Sequence, residues 1–122
     1  MRDGSQAASR KVEHYHIKSN AIMDEPYVLP GQPVDTIFPL GTLVVTTAAA
    51  DGLPKIDVAH ALRQHAAGSW GDLLDDDRVA NEMALKNGRR LFSAYKSTNG
   101  IKFWIITEAD RSATTVLLPD DY

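Results

Sequence analysis

Apolar residues recur along this chain with two different periods, and the switch from one to the other divides the sequence. Between Pro54 and Gly68, the residues Val58, Ala61, Leu62 and His65 fall at i, i+3, i+4 and i+7, the spacing that gathers side chains on one face of a helix. Pro54 suits a first helical turn, where an N–H would lack an intrahelical partner, and Gly68 ends the run. A second helix is predicted after the linker 69–74, with an aspartate of Asp75-Asp76-Asp77 accepting first-turn N–H groups and opposing the helix dipole. Its expected buried stripe is Val79, Ala80, Met83 and Ala84, and Asn87-Gly88 offers the left-handed residue that closes a helix.

From Arg90 the period becomes two. The alternating runs 90–95 and 102–107, joined by Ser97-Thr98-Asn99-Gly100, predict a hairpin, because Asn-Gly favours positive φ in a tight turn. A turn over 108–112 leads to a third strand at 113–118, paired antiparallel with the second and ended by Pro119. Upstream, the β-branched run Leu43-Val44-Val45-Thr46-Thr47 follows Pro39 and Gly41 and predicts a short strand, with Asp51-Gly52 as a break. Residues 1–37 differ: a polar start, then Pro26, Pro30, Gly31 and Pro33 too close together for a regular element. That stretch reads as an extended, flexible arm, apolar enough at Ile17, Ile22, Met23, Tyr27, Val28 and Leu29 to lie along a folded body. The expected organisation is therefore an arm over 1–37 and one α+β domain over 38–122. In that domain a short strand and two helices precede a three-stranded antiparallel meander, with the helices packed on one face of the sheet.

Composition narrows the function classes. The chain has 122 residues, enough for one core and too few for two. It contains no cysteine, which removes disulfides, thiolate nucleophiles and cysteine-ligated zinc. No apolar run approaches the ~20 residues of a membrane span, and the N-terminus lacks the apolar stretch of a secretory signal, so a cytoplasmic protein is expected. A net charge of −3 without a long run of Lys or Arg argues against general nucleic-acid binding.

Among candidate reactive groups, His65 stands near the end of the first helix, as either a packed histidine satisfied by one hydrogen bond or an acid–base group. Arg90, Ser93, Tyr95, Lys102, Trp104, Arg111 and Thr115 join it in one site only if strand pairing puts their side chains on a common face. A histidine, a tyrosine and several cations on one phosphodiester would suit a metal-independent ribonuclease-like toxin, with His65 as acid or base, Arg90 and Arg111 as phosphate clamps and Tyr95 assisting. The alternative is a surface for another protein. Trp70 and Trp104 are either core residues or interface anchors, Asp72 lies in the linker, and Glu108, Asp110 and Arg111 either fix a turn or present charges to a partner. The arm's His14 and His16, without carboxylate or cysteine support, do not make a metal site, and neither cofactor nor metal is expected.

The stretches 68–73, 88–95 and especially 106–119, in which Ile106-Thr107-Glu108-Ala109-Asp110-Arg111-Ser112 is followed by Thr114-Thr115 and Leu117-Leu118-Pro119, resemble a family of small uncharacterised bacterial proteins associated with plasmids and mobile elements. The resemblance spans roughly 38–122, and Ser69 departs from it where an Asp is expected before the Trp. It implies a shared fold and a mobile-element setting, with no activity to transfer. The preferred expectation is a non-catalytic interaction, regulatory or inhibitory module for a host or plasmid protein, with edge-paired homodimerisation left open.

Overall fold

The computed structural model describes residues 20–22 and 36–121. Their elements, in chain order, are β1 (Asn20–Ile22), β2 (Thr42–Thr46), α1 (Thr47–Gly52), α2 (Lys55–Ala66), α3 (Asp75–Asn87), β3 (Leu91–Lys96), β4 (Lys102–Thr107), β5 (Ala113–Leu117) and a 3₁₀ turn at Pro119–Asp121. The fold is α+β. The antiparallel pairing of β3, β4 and β5 matches expectation, but these strands are not a free-standing meander. The early strand β2 joins the sheet parallel to β5, and β1 adds antiparallel to β2, giving a mixed sheet in the order β1-β2-β5-β4-β3. Strand β1 falls within the stretch read as an arm. The remainder of 1–35 lies outside the described residues, as does Tyr122, and with it His14 and His16.

The period-two runs decide which side chains meet. Register pairs Tyr95 with Phe103, Ser93 with Ile105 and Leu91 with Thr107 on one face of the β3–β4 hairpin, and Val116 and Val45 extend that face across β5 and β2. Against it pack α1, through Ala49 and Leu53, and α2, through Val58, Ala61 and Leu62, forming the main core. The predicted stripe of α2 is buried throughout, including His65. The short α1 was not expected. It begins where the Thr46 hydroxyl accepts a hydrogen bond from Ala49 N, at 3.1 Å. The same hydroxyl donates to buried Asp121 Oδ2, at 2.6 Å, so one threonine caps a helix and ties down the end of the described chain.

Helix α3 departs most from its sequence pattern. Its buried residues are Asp77, Asn81 and Ala84, while Val79 and Met83 are 62% and 52% exposed. Of the four expected stripe residues only Ala84 faces inward. No aspartate occupies its N-cap position either; Leu74 does, and the three aspartates fill the first turn. The physical reason is what α3 packs against. Ala84 and Leu85 pack with Phe38, Trp70 and Leu91, but further back the helix lies along the outer edge of β3, and a strand edge presents N–H and C=O groups. Asn81 satisfies both at Phe92, donating from Nδ2 to Phe92 O at 2.6 Å and accepting from Phe92 N at 3.1 Å. Ala94 is closed in the same way by the linker: its N–H donates to Trp70 O and its carbonyl accepts from Asp72 N. Polar residues inward on α3 are therefore what an edge requires, and the β3 edge is closed by the chain itself. The linker can come this close only because of Gly71. Its φ is +76°, and a Cβ there would sit 2.0 Å from Ala94 O.

Candidate functional site

His65 projects from the last turn of α2 into the core between two hydroxyls: its Nδ1 lies 2.6 Å from Ser93 Oγ and its Nε2 lies 2.8 Å from Thr107 Oγ1. The chain of contacts continues from Thr107 Oγ1 to Thr114 Oγ1, at 2.7 Å, and from Thr114 Oγ1 to the carbonyl of Leu40, at 2.7 Å. This last acceptor orients every proton. A carbonyl cannot donate, so Thr114 gives its proton to Leu40 and accepts from Thr107. Thr107 must in turn accept from His65, and therefore the imidazole carries its proton on Nε2, while Nδ1 accepts from Ser93. Burial holds the ring neutral, pushing its pKa down to about 3, and the guanidinium of Arg111 opposes the charged form further. Around the ring, Phe38 and Trp70 pack edge-on at 5.2 and 5.6 Å between centroids. His65 has no solvent exposure.

The other residues considered for acid–base chemistry are distributed by the strand register. Ser93 and Tyr95 share the face of His65, whereas Lys102, Trp104 and Thr115 lie on the opposite face. The Tyr95 hydroxyl donates to Ser69 O at 2.7 Å, and burial raises its pKa. Arg90 pairs with Glu108 at 2.7 Å. Arg111 lies 5.8 Å over the Phe38 ring and spends its guanidinium on backbone carbonyls: Ala84 and Arg89 at the end of α3, Glu108 and Ala109 in the β4–β5 turn. It holds those two segments together from a left-handed backbone, φ +62°. Asp110 fixes the same turn by accepting from Ser112 N at 3.0 Å, and its bonds to the Ser112 side chain and backbone keep its carboxyl below the ordinary carboxylate range. The arginines and His65 thus come near one end of the domain, but His65 does not open onto a cleft, and Arg111, Asp110 and Glu108 make their bonds within the chain itself.

Trp70 is a core residue, 2% exposed, stacked on Phe38 and donating from its indole to Glu82 at 3.1 Å. Trp104 is different. Register sends it to the face of the sheet away from α1 and α2, where it is half-buried and meets Phe92 edge-on at 5.3 Å. These two rings line a groove of about 400 Å³ with Leu73, Leu74, Ala94 and Pro119, with Asp72 and Lys102 at its margin and buried Asp77 behind its wall. A second groove, of about 450 Å³, opens on the other side of the linker, lined by Asp57, His60, Gln64, Lys96 and Phe103 among others. Asp72 and Tyr95 line both, so the linker is a ridge between them. Of the residues assigned to interaction from sequence, Asp72 and Trp104 meet in the first groove, while Trp70, Glu108, Asp110 and Arg111 do not. Sequence reasoning missed Leu73, Leu74 and Phe92. Alternation alone would have put Phe92 on the face of Trp104, had the hairpin register been carried through to side chains.

Among the described residues no cluster of His, Asp and Glu is placed to hold a metal ion, and no helix is long and apolar enough to cross a membrane. Comparison with protein-family models, with curated proteins and with solved structures finds no match to this chain.

Proposed function

We propose that this domain is a protein-interaction module without catalytic activity, receiving a segment of its partner in the groove walled by Phe92 and Trp104. The observation that carries this reading is the placement of α3. Because the helix seals the β3 edge, a half-buried aromatic pair lines a groove beside Leu74, which is 63% exposed. Partly open tryptophan in an apolar concavity is the usual anchor of a protein interface. The resemblance to plasmid- and mobile-element-associated proteins suits a regulatory or inhibitory role toward a host or plasmid protein. The ribonuclease-like alternative, with His65, Arg90 and Arg111 around one phosphate, draws no support from a histidine enclosed on every side.

Selection of binders from a random peptide library, followed by nuclear magnetic resonance mapping on the full chain, tests the reading. Selected peptides should shift the Trp104 indole and the amides of Phe92 and Ala94, and Trp104→Ala should weaken them by at least about tenfold. Peptides that bind without disturbing those signals would refute it.

A further inference from the structure

Helix α3 has an outer face with an order of its own. Val79 and Met83, one helical turn apart, are 62% and 52% exposed, and Ala80 lies exposed between them. Among the described residues no other helix carries two large apolar side chains this exposed. The helix turns Asp77, Asn81 and Ala84 toward the body, so the apolar strip points away from it. The strip has charged ends of opposite sign: Asp75 and Asp76 are exposed in the first turn, and Lys86 is the base of the last. Charges of these signs suit the dipole of any single helix; what is particular here is their spacing about the apolar centre.

That spacing reads the same when the helix is turned end for end. Val79 and Met83 stand two residues to either side of position 81, and Asp76 and Lys86 stand five residues to either side, about 7.5 Å along the axis. A two-fold axis at that level lays Val79 against Met83 of a second copy, and the acidic first turn against its Lys86, twice over. Antiparallel packing also opposes the two helix dipoles, the favourable arrangement for neighbours, and Ala80 supplies a small side chain where two helices approach. A different partner would have to bring a matching pattern. A second copy carries it by symmetry, because a two-fold interface requires only a patch complementary to itself. Pairing through the β3 edge is closed, since Asn81 and the linker hold its backbone groups, so this contact is made by helices.

We infer that two copies of this chain associate through α3, packed antiparallel about a two-fold axis near Asn81. The contact is one face of a 13-residue helix, below the ~1,200 Å² of a standard interface, so the dimer is weak, with a dissociation constant on the order of 0.1 mM. It does not use the groove of Phe92 and Trp104, and it stands or falls independently of the function proposed for that groove.

Sedimentation equilibrium of the full chain up to about 1 mM, with methyl-resolved magnetic resonance over the same range, tests the inference. The wild type should dimerise and shift the Val79 and Met83 methyl signals while the Trp104 indole stays in place. Met83→Glu, at a position more than half exposed, should weaken association by at least about tenfold and leave the urea midpoint unchanged. Lys86→Glu and Asp76→Lys should each weaken self-association about fivefold at low salt. A one-to-one mixture of those two variants should nevertheless associate as tightly as the wild type, because each supplies the sign the other lacks, and added salt should shrink these differences. Asp75→Lys takes the place of Asp76→Lys if urea melts show the latter unfolded. A chain that stays monomeric at about 1 mM overturns the inference, as does a dimer that Met83→Glu leaves intact. A mixture that gains nothing over the separate variants overturns it too, by excluding the antiparallel order.

Discussion

The proton order of the buried chain Ser93–His65–Thr107–Thr114–Leu40 makes a prediction that can fail in two independent ways. The first concerns the tautomer. Nitrogen-resolved spectra of the imidazole should find the proton of His65 on Nε2, since only that tautomer lets the Thr114 hydroxyl donate to Leu40 O. The second concerns stability against pH. In the unfolded chain His65 takes up a proton near its ordinary value of 6.5, but in the folded chain burial defers this to about 3. Between those values the unfolded state binds the extra proton, so stability from this residue is full above pH 6.5 and is lost as the pH falls. The slope is about 1.4 kcal/mol per pH unit, so a shift from pH 7 to pH 5 removes about 2 kcal/mol. Urea melts of the wild type and of His65→Gln isolate that term, because acids such as Asp57 and Asp110 contribute alike to both. The wild type should lose about 2 kcal/mol more than the variant over that interval. Parallel pH dependences, or a proton found on Nδ1, would refute the reasoning.

Three further outcomes follow from the same contacts. Asn81→Ala removes both partners of Phe92 at the sheet edge, so urea melts should show a loss of about 1–3 kcal/mol, and sedimentation should detect edge-paired association that the wild type lacks. Thr46→Val breaks the cap of α1 and leaves the buried Asp121 carboxylate without its hydroxyl donor. It should cost about 1–3 kcal/mol by urea melt, and Thr46→Ser should recover most of it. Arg111→Lys keeps the charge but cannot reach the carbonyls of Ala84, Arg89, Glu108 and Ala109 together. Hydrogen exchange should then quicken at the end of α3 and in the β4–β5 turn before it changes elsewhere.

How much of this was legible in the sequence depends on what each element packs against. The period-two runs and Asn99-Gly100 specified the β3–β4 hairpin, because register there is local and the alternation leaves one choice of face. The α2 stripe was legible for a similar reason: it meets an apolar face, and apolar residues at helical spacing report that directly. In α3 the same rule failed, since Val79 and Met83 look like a core stripe, yet the helix is held by Asn81 at a strand edge. Periodicity records where apolar residues sit on a helix and not whether the neighbour is a face or an edge. The parallel pairing of β2 with β5 was illegible for another reason. It joins residues such as Val45 and Val116 across most of the domain, and no short-range signal in either strand distinguishes parallel from antiparallel partners. For His65 both a packed and a reactive reading were open in the sequence, because its two hydroxyl partners, Ser93 and Thr107, arrive from different strands through the hairpin register.

The failures of the sequence pattern and the open groove have a common origin. A helix that had buried Val79 and Met83 over the sheet would have covered Phe92 and Trp104, and the β3 edge would then have needed another partner for the Phe92 N–H and carbonyl. By turning Asp77 and Asn81 inward, α3 secures the edge against another strand while two aromatic rings stay partly exposed on the adjoining face. Edge closure and a half-buried aromatic pair beside the edge are therefore one structural choice. Loosening α3 by Asn81→Ala should accordingly affect both: the freed edge offers a strand partner a place to bind, and the Leu74 wall of the groove loses its support. Selected peptides should bind this variant more weakly than the wild type although Trp104 itself is unchanged, which ties recognition to the way the fold closes its own sheet.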